Sequence, residues 1–380
     1  MKVDVLLKAS IEQGASDLHV KVGAPPMARV SGTLTPLPQF QRMNKDDVTG
    51  LAYSILSPGQ RETFKQEREI DLAYSAAGLG RFRVSIFMQR GTVGAVFRVI
   101  PSRILTLDDL VLPEAIKKLA LEQRGLALVT GTTGSGKSTT MAAMVDIINT
   151  SRTANIITIE DPIEFLHRDK KGIVSQREIG QDTDSFGGAL RSAMRQDPDV
   201  IMVGEMRDFE TINTALNAAE TGHLVLSTLH TLDATETINR IVSVFPPYHH
   251  SQVRMQLATV LKGIVSMRLI PRSKGEGRVP AVEILLGTQT VCEAITDADK
   301  TRSLKDIIAA GKSQYGMQTF DQSIYEHYQN GLISYDEALK WTSTPEDFAL
   351  KVKGIESTSD SWENVQQEGN GETEFEVDHF

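Results

Sequence analysis

The sequence predicts a two-domain α/β protein: an N-terminal α+β domain, then a larger domain built on a largely parallel sheet. Three observations carry this. The chain has 380 residues, and domains run to about 100–200 residues each, which gives roughly two. Apolar runs recur in the second half, most of them separated by stretches long enough for a crossover helix. A proline-bracketed stretch, VIPSRILTLDDLVLPEAI, separates that half from an earlier segment of alternating apolar and polar residues.

Taken in order, the N-terminus MKVDVLLKASIEQGASD has no apolar h-region followed by a small-residue cleavage site. No apolar run reaches the roughly 18–20 residues of a membrane-spanning helix. A cytoplasmic, unprocessed protein is expected. Residues 81–98, RFRVSIFMQRGTVGAVFR, read as two strands joined by a Gly-containing turn. The linker falls at 102–113. Beyond it come GLALVTG (125–131), NIITIE (155–160), DVIMVG (199–204), HLVLSTL (223–229) and VPAVEILL (279–286), with helical segments such as 138–150 and 207–220 between them. From 355 the chain is polar and acidic without period, and disorder is expected there.

Composition narrows the function. Apolar residues make up 40% and charged residues 23%, which excludes disordered and fibrous classes. The formal charge is -9, but eight acids lie in 355–380 with no Lys or Arg, leaving a body near -1. That balance argues against a nucleic-acid partner. The one cysteine, Cys292, forms no intramolecular disulfide and excludes a cysteine-built zinc cluster.

The strongest local signal is Gly131-Thr132-Thr133-Gly134-Ser135-Gly136-Lys137-Ser138, which fits G-x-x-x-x-G-K-[ST] between a buried strand and a helix. Glycines let backbone N–H groups turn inward around phosphate oxygens, and the helix N-terminus adds its positive end. Lys137 then reaches the β- and γ-phosphates and Ser138 a magnesium ion. Glu205 follows the buried run 199–204, at the strand end where open parallel sheets bind ligands. It is placed to orient or deprotonate an attacking water; capping of a following helix is the alternative. Glu160 ends the strand 155–160 and suits a water-mediated metal contact, with Glu164 as a solvated loop acid. His223 and His230 bracket the strand between them. His230 is placed to donate to a γ-phosphate oxygen or to Glu205, and no further ligands make the pair a metal site.

These clusters, in this order, resemble the secretion-superfamily ATPases, with Walker A at 131–138, an Asp box at 156–164, Walker B at 199–205 and a His box at 221–230. Ser16-Asp17-Leu18-His19, Gly204-Glu205-Met206-Arg207-Asp208 and the stretch 218–223, AAETGH, extend the likeness to the PilT/PilU family of type IV pilus retraction ATPases, over roughly residues 1–350. Assembly and type II secretion members carry a longer N-terminal extension and a four-cysteine module, which this chain lacks.

The resemblance implies a PAS-like N-terminal domain (1–101), the linker (102–113), a RecA-like ATPase domain (114–354) and the tail (355–380). It implies a nucleotide site of Thr132, Thr133, Gly134, Ser135, Gly136, Lys137, Ser138, Thr139, Glu160 and His223, with ATP as substrate and Mg²⁺ at Ser138 and, through water, at Glu160. Catalytic roles fall to Glu205, His230 and two arginines fifteen positions apart, Arg83 and Arg98, as arginine fingers; Arg81 is a weaker candidate. A homohexamer is implied, working with an inner-membrane pilus platform protein and a paralogous retraction ATPase, at the cytoplasmic face of the membrane and touching it only through partners. Where PilT members carry AIRNLIRE, residues 290–297 here read TVCEAITD. That departure, residues 316–322 and 332–338 and the long tail look more like PilU. A motor and an accessory ring supporting another motor are the two readings this leaves.

Overall fold

A computed structural model describes residues 2–101, 103–275 and 277–354. The acidic tail, with the disorder expected of it, lies outside the described residues. The chain forms two compact units. The first takes in residues up to Ile104 together with Ile159–Lys170 and Gln176–Asp184; the second takes in Leu105–Thr158, Lys171–Ser175 and the residues from Ser185 onward. The first boundary falls inside the expected linker. The two short segments after residue 158 group with the first unit, although they lie beyond the linker in sequence.

The first unit contains α1 (Val3–Glu12), β1 (Asp17–Lys21), β2 (Met27–Val30), β3 (Thr33–Pro36), α2 (Lys45–Ser54), α3 (Pro58–Glu67), β4 (Glu69–Ala76), β5 (Gly80–Gln89) and β6 (Thr92–Ile100). Its strands form an antiparallel sheet in the order β3-β2-β1-β6-β5-β4. Alternation sets the buried face: Phe82, Val84 and Ile86 of β5 are fully buried, as is Phe97 of β6. Leu6 and Leu7 of α1, Val48 and Leu51 of α2 and Phe64 of α3 cover that face. Both later helices start on capping boxes, Asn44 with Asp47 and Ser57 with Gln60, so their first N–H groups are satisfied locally. The β5–β6 hairpin turns on two residues, Arg90 (φ 48°) and Gly91 (φ 72°), the left-handed pair that matches strand twist.

The second unit holds α4 (Glu114–Ala120), β7 (Gly125–Thr130), α5 (Lys137–Ser151), the starts of β8 (Asn155–Glu160) and β9 (Ile173–Glu178), α6 (Phe186–Ala193), β10 (Val200–Val203), α7 (Phe209–Glu220), β11 (Leu224–Leu229), α8 (Ala234–Ser243) and α9 (His250–Val260). Then come β12 (Leu261–Pro271), β13 (Arg278–Leu286), α10 (Gln289–Thr296), α11 (Leu304–Ala310), α12 (Lys312–Tyr315), α13 (Phe320–Gln329), α14 (Tyr335–Trp341) and α15 (Pro345–Val352). The strand order is β13-β12-β7-β11-β10-β8-β9. β10, β11, β7 and β12 run parallel to their neighbours, and β13 returns antiparallel to β12. Every residue of β7 and of β11 is buried, as expected for strands covered on both faces. The largely parallel sheet therefore forms as the sequence predicts, while the run at 279–286 is its antiparallel edge. At that end Phe320, Ile324, Ala338 and Phe348 of the C-terminal helices, with Ile333 of the α13–α14 connection, pack with Ile270, Val279 and Ala281.

Candidate active site

β7 delivers the chain into the glycine-rich loop and α5 takes it out, so the loop is bounded by two buried elements. Gly131 has φ 139°, and a Cβ there would stand 2.5 Å from the Met267 carbonyl oxygen and 2.6 Å from Ser135 Oγ. Any side chain would collide with backbone of β12. Gly136, at φ 99°, is the N-cap of α5 and adopts the left-handed conformation that lets the loop turn directly into the helix. Lys137 is buried, and its Nζ donates to the carbonyl oxygens of Gly131 (2.8 Å) and Thr132 (2.9 Å), which places the ammonium within the loop. Ser135 is 3% exposed and its Oγ has no hydrogen-bond partner among the described residues. A buried hydroxyl without a partner is costly unless a ligand completes it. Thr132, Thr133, Gly134 and Ser138 are exposed on the loop and Thr139 half-buried.

Strand register brings two further groups to the same edge. Thr130 of β7 pairs with Leu229 of β11, and Val203 of β10 pairs with Ser227. The residues that follow, Gly131, His230 and Glu205, therefore leave the sheet together at its C-terminal side. Glu205 Oε1 lies 3.2 Å from His230 Nε2 and also meets Arg207 Nε. Thr228 Oγ1 donates to the Gly204 carbonyl at 2.7 Å and Ser227 Oγ to that of Val203 at 2.8 Å, which fixes the chain just before Glu205. Capping of α7 falls to Asp208, whose Oδ1 accepts the Thr211 N–H at 2.9 Å. Glu205 is thus free of that duty.

His223 does not join this group. It precedes β11, where its carbonyl accepts the Gly125 N–H at the start of β7, and Nδ1 lies 2.9 Å from the Ala218 carbonyl oxygen. It lines a polar recess with Gln123, Arg152, Asp199 and Thr221 at the opposite edge of the sheet. A six-residue strand spans about 20 Å, so the two histidines of the bracket are separated by its full length, and within this chain His223 lies apart from the Glu205–His230 pair.

In the first unit, Glu160 is 8% exposed and its Oε1 accepts from Gln176 Nε2 at 3.0 Å. Gln176 also donates to the Phe165 carbonyl and accepts the His167 N–H, so one side chain braces the whole acidic loop. Glu164 is exposed, as a solvated loop acid should be. Arg83 and Arg98 are register partners on β5 and β6 and both are exposed. Asp17 of β1, opposite Arg98 on its other side, accepts Arg98 Nε at 2.8 Å. Burial pushes the Asp17 carboxyl up, but hydrogen bonds from Arg98 and Ser16 outweigh it and hold the group below the usual carboxylate range. Arg81 is occupied: its Nη2 donates to the buried Glu178 Oε2 at 2.8 Å, and Glu178 also accepts the Ile163 N–H. Sequence reading did not find Gln176 or Glu178; their bonds to Arg81, Glu160, Ile163, Phe165 and His167 reach 9 to 97 positions away, and no local pattern marks such pairs.

A buried strand, a glycine-rich loop and a helix, with an acid and a histidine gathered beside them, define a P-loop ATPase. The model of the family described as type II/IV secretion system protein matches residues 63–337. The chain is 47% identical over 348 residues to the type IV pilus retractation ATPase PilT of Pseudomonas aeruginosa, covering 92% of this chain and all of that protein. It is 43% identical over 371 residues to the type IV pilus ATPase PilU of the same organism, covering 97% and 96%. A crystal structure of the pilus retraction motor PilT with bound ADP superposes with a TM-score of 0.85 at 44% identity, over 91% of this chain and 98% of that one. The chain belongs to the type II/IV secretion ATPase family, within its PilT/PilU group. No helix among the described residues is long and apolar enough to cross a membrane.

Proposed function

We propose that this chain is a ring-forming motor that hydrolyses Mg-ATP to drive retraction of a type IV pilus. The observation that carries the reading is the meeting of the Lys137 loop, Glu205 and His230 at one edge of the sheet, with Glu205 and His230 3.2 Å apart. Its support from relatives is the retraction role in the names of the PilT proteins it resembles.

The residues fit the magnesium–triphosphate group. The orphaned Ser135 hydroxyl and the α5 N-terminus suit phosphate oxygens, Lys137 supplies the cation for the terminal phosphates, and the exposed Ser138 hydroxyl suits magnesium, with Glu160 reaching it through water. Magnesium, when bound, neutralises charge on the phosphates. Thr132, Thr133, Gly134, Gly136 and Thr139 line the cradle. Glu205 takes the proton of the attacking water or orients it, and His230 holds Glu205 or a γ-phosphate oxygen. Arg83 and Arg98 act as arginine fingers, completing the site of a neighbouring subunit in a homohexamer. The PAS-like domain 1–101 closes on the ATPase domain 114–354 about the linker 102–113 as nucleotide binds. The ring works on an inner-membrane platform protein from the cytoplasmic face.

A second reading is favoured by residues 290–297, which lie in α10 and at its C-terminal end and carry no arginine where retraction members have AIRNLIRE. On that reading the ring is PilU-like and strengthens a paralogous motor. Steady-state hydrolysis by the full chain tests the first proposal: Lys137→Ala loses nucleotide binding, and Glu205→Gln binds but does not turn over. Equal hydrolysis by Glu205→Gln removes the catalytic assignment. Retraction assayed with and without the paralogue separates the two readings.

A further inference from the structure

Glu283 is a carboxylate 5% exposed on β13, remote in sequence from every motif of the nucleotide site. Its Oε1 accepts the N–H of Ala234 at 2.9 Å. Ala234 is the first residue of α8, four positions after His230.

The intervening segment has little freedom of its own. Thr231 Oγ1 lies 2.6 Å from Thr237 Oγ1, the Leu232 N–H donates to Glu236 Oε2 at 2.8 Å, and Asp233 caps the helix by accepting the Glu236 N–H at 2.7 Å. The segment 231–233 is stapled to the first turn of α8, and that turn is held to the sheet by Glu283. Among the described residues, the one hydrogen bond from a β13 side chain to this turn is the Glu283–Ala234 bond, beside the buried Thr237, Ile238 and Ile241 of α8.

We propose that Glu283 is a positioning residue for the nucleotide site: by holding the Ala234 N–H it fixes the first turn of α8 and, through it, the segment that carries His230. The inference rests on the reading above, in which His230 serves ATP hydrolysis. A carboxylate at a helix N-terminus is favoured by the helix dipole, yet here it is in company. Asp233 faces it from the α8 turn, Arg268 from β12 and Lys305 from α11, while Glu236 on the same turn accepts the Leu232 N–H and Asp321 and His327 lie on the packed α13. Burial pushes the Glu283 carboxyl up to about 7; the Ala234 N–H, Arg268 and Lys305 pull against it and Asp233 adds to it. Its charge therefore changes across the neutral range, and with it the strength of the bond to Ala234.

Two substitutions act on opposite ends of this bond. Glu283→Gln keeps an acceptor and removes the titration. Ala234→Pro removes the donor; proline suits the first helical position, and Asp233 already has the extended backbone (φ -151°, ψ 174°) that a following proline requires. Both are made in the full chain. In Ala234→Pro, kcat for Mg-ATP falls about tenfold or more with KM little changed, since a reacting group is displaced and binding is not. In Glu283→Gln, the wild-type inflection of kcat near pH 7 is lost. Without nucleotide, hydrogen exchange of the peptide covering residues 229–237 speeds up several-fold in Ala234→Pro. Unchanged kcat in Ala234→Pro with an unchanged pH profile in Glu283→Gln overturns the proposal, and so does unchanged exchange over 229–237. A wild-type protein that hydrolyses no ATP removes the proposed function instead, and the exchange measurement then decides by itself whether Glu283 holds the segment.

Discussion

Arg83 and Arg98 stand directly opposite each other across the β5–β6 hairpin, and the Arg90–Gly91 turn sets that register. Two like charges side by side on an exposed sheet face are unfavourable for folding. Asp17 compensates one of them, leaving Arg83 outward. For Arg83→Ala we expect a slightly raised thermal midpoint, because the like-charge contact is relieved, and a kcat lower by about 10³-fold, the scale of a lost arginine finger. Wild-type turnover in that variant would end the assignment of a catalytic role to Arg83.

Glu205 and His230 are in contact and should act as one unit. Glu205→Gln alone abolishes turnover, and His230→Gln lowers kcat. The double variant should be no slower than Glu205→Gln, because groups that serve one step are not additive. Independent losses that multiply would show that His230 acts elsewhere.

In the Arg81–Glu178 pair the carboxylate is buried and the guanidinium half-buried, with side chains 4% and 18% exposed. Removing the cation strands a carboxylate that otherwise also accepts the Ile163 N–H. Arg81→Met should cost about 3 kcal/mol of stability, and adding Glu178→Gln should recover part of it. Urea denaturation of the three proteins reads the coupling; a double variant as unstable as the sum of the singles would mean that the two side chains do not depend on each other.

Glu283 should also mark the stability of the protein against pH. Its folded value of about 7 lies above the ordinary 4.5, so between these limits the native state binds a proton that the unfolded chain has released. Stability is full below about pH 4.5 and falls as pH rises through 7, by about 3 kcal/mol in all. Glu283→Gln lacks this dependence. Denaturation midpoints of the two proteins from pH 5 to 8 should therefore diverge in favour of the variant; parallel curves would show that Glu283 titrates normally.

Much of the architecture was legible because its signals are contiguous. The octapeptide 131–138 carries its own glycines, lysine and flanking strand and helix, and the buried runs of β7 and β11 are uninterrupted. The hairpin 81–98 announced itself by alternation. What escaped was set by register and by contacts between distant segments. His223 and His230 look equivalent in sequence, yet a strand lies between them and puts them at opposite edges. β12 was not anticipated, since LKGIVSMRLIP mixes apolar and basic residues without a clear period. Glu178, Gln176 and Glu283 each act on residues that only the fold brings near.

The level placement of Arg83 and Arg98 has a consequence for conditions outside the protein. Guanidinium groups that repel each other attract a bridging anion more strongly than either does alone, and counterions in solution compete for the same role. The Debye length shortens from about 10 Å at 0.1 M salt to about 3 Å at 1 M. If Arg83 and Arg98 serve as the proposed arginine fingers, hydrolysis should be sensitive to ionic strength through this exposed pair, whereas the buried Lys137, held by the Gly131 and Thr132 carbonyls, is shielded from the same ions.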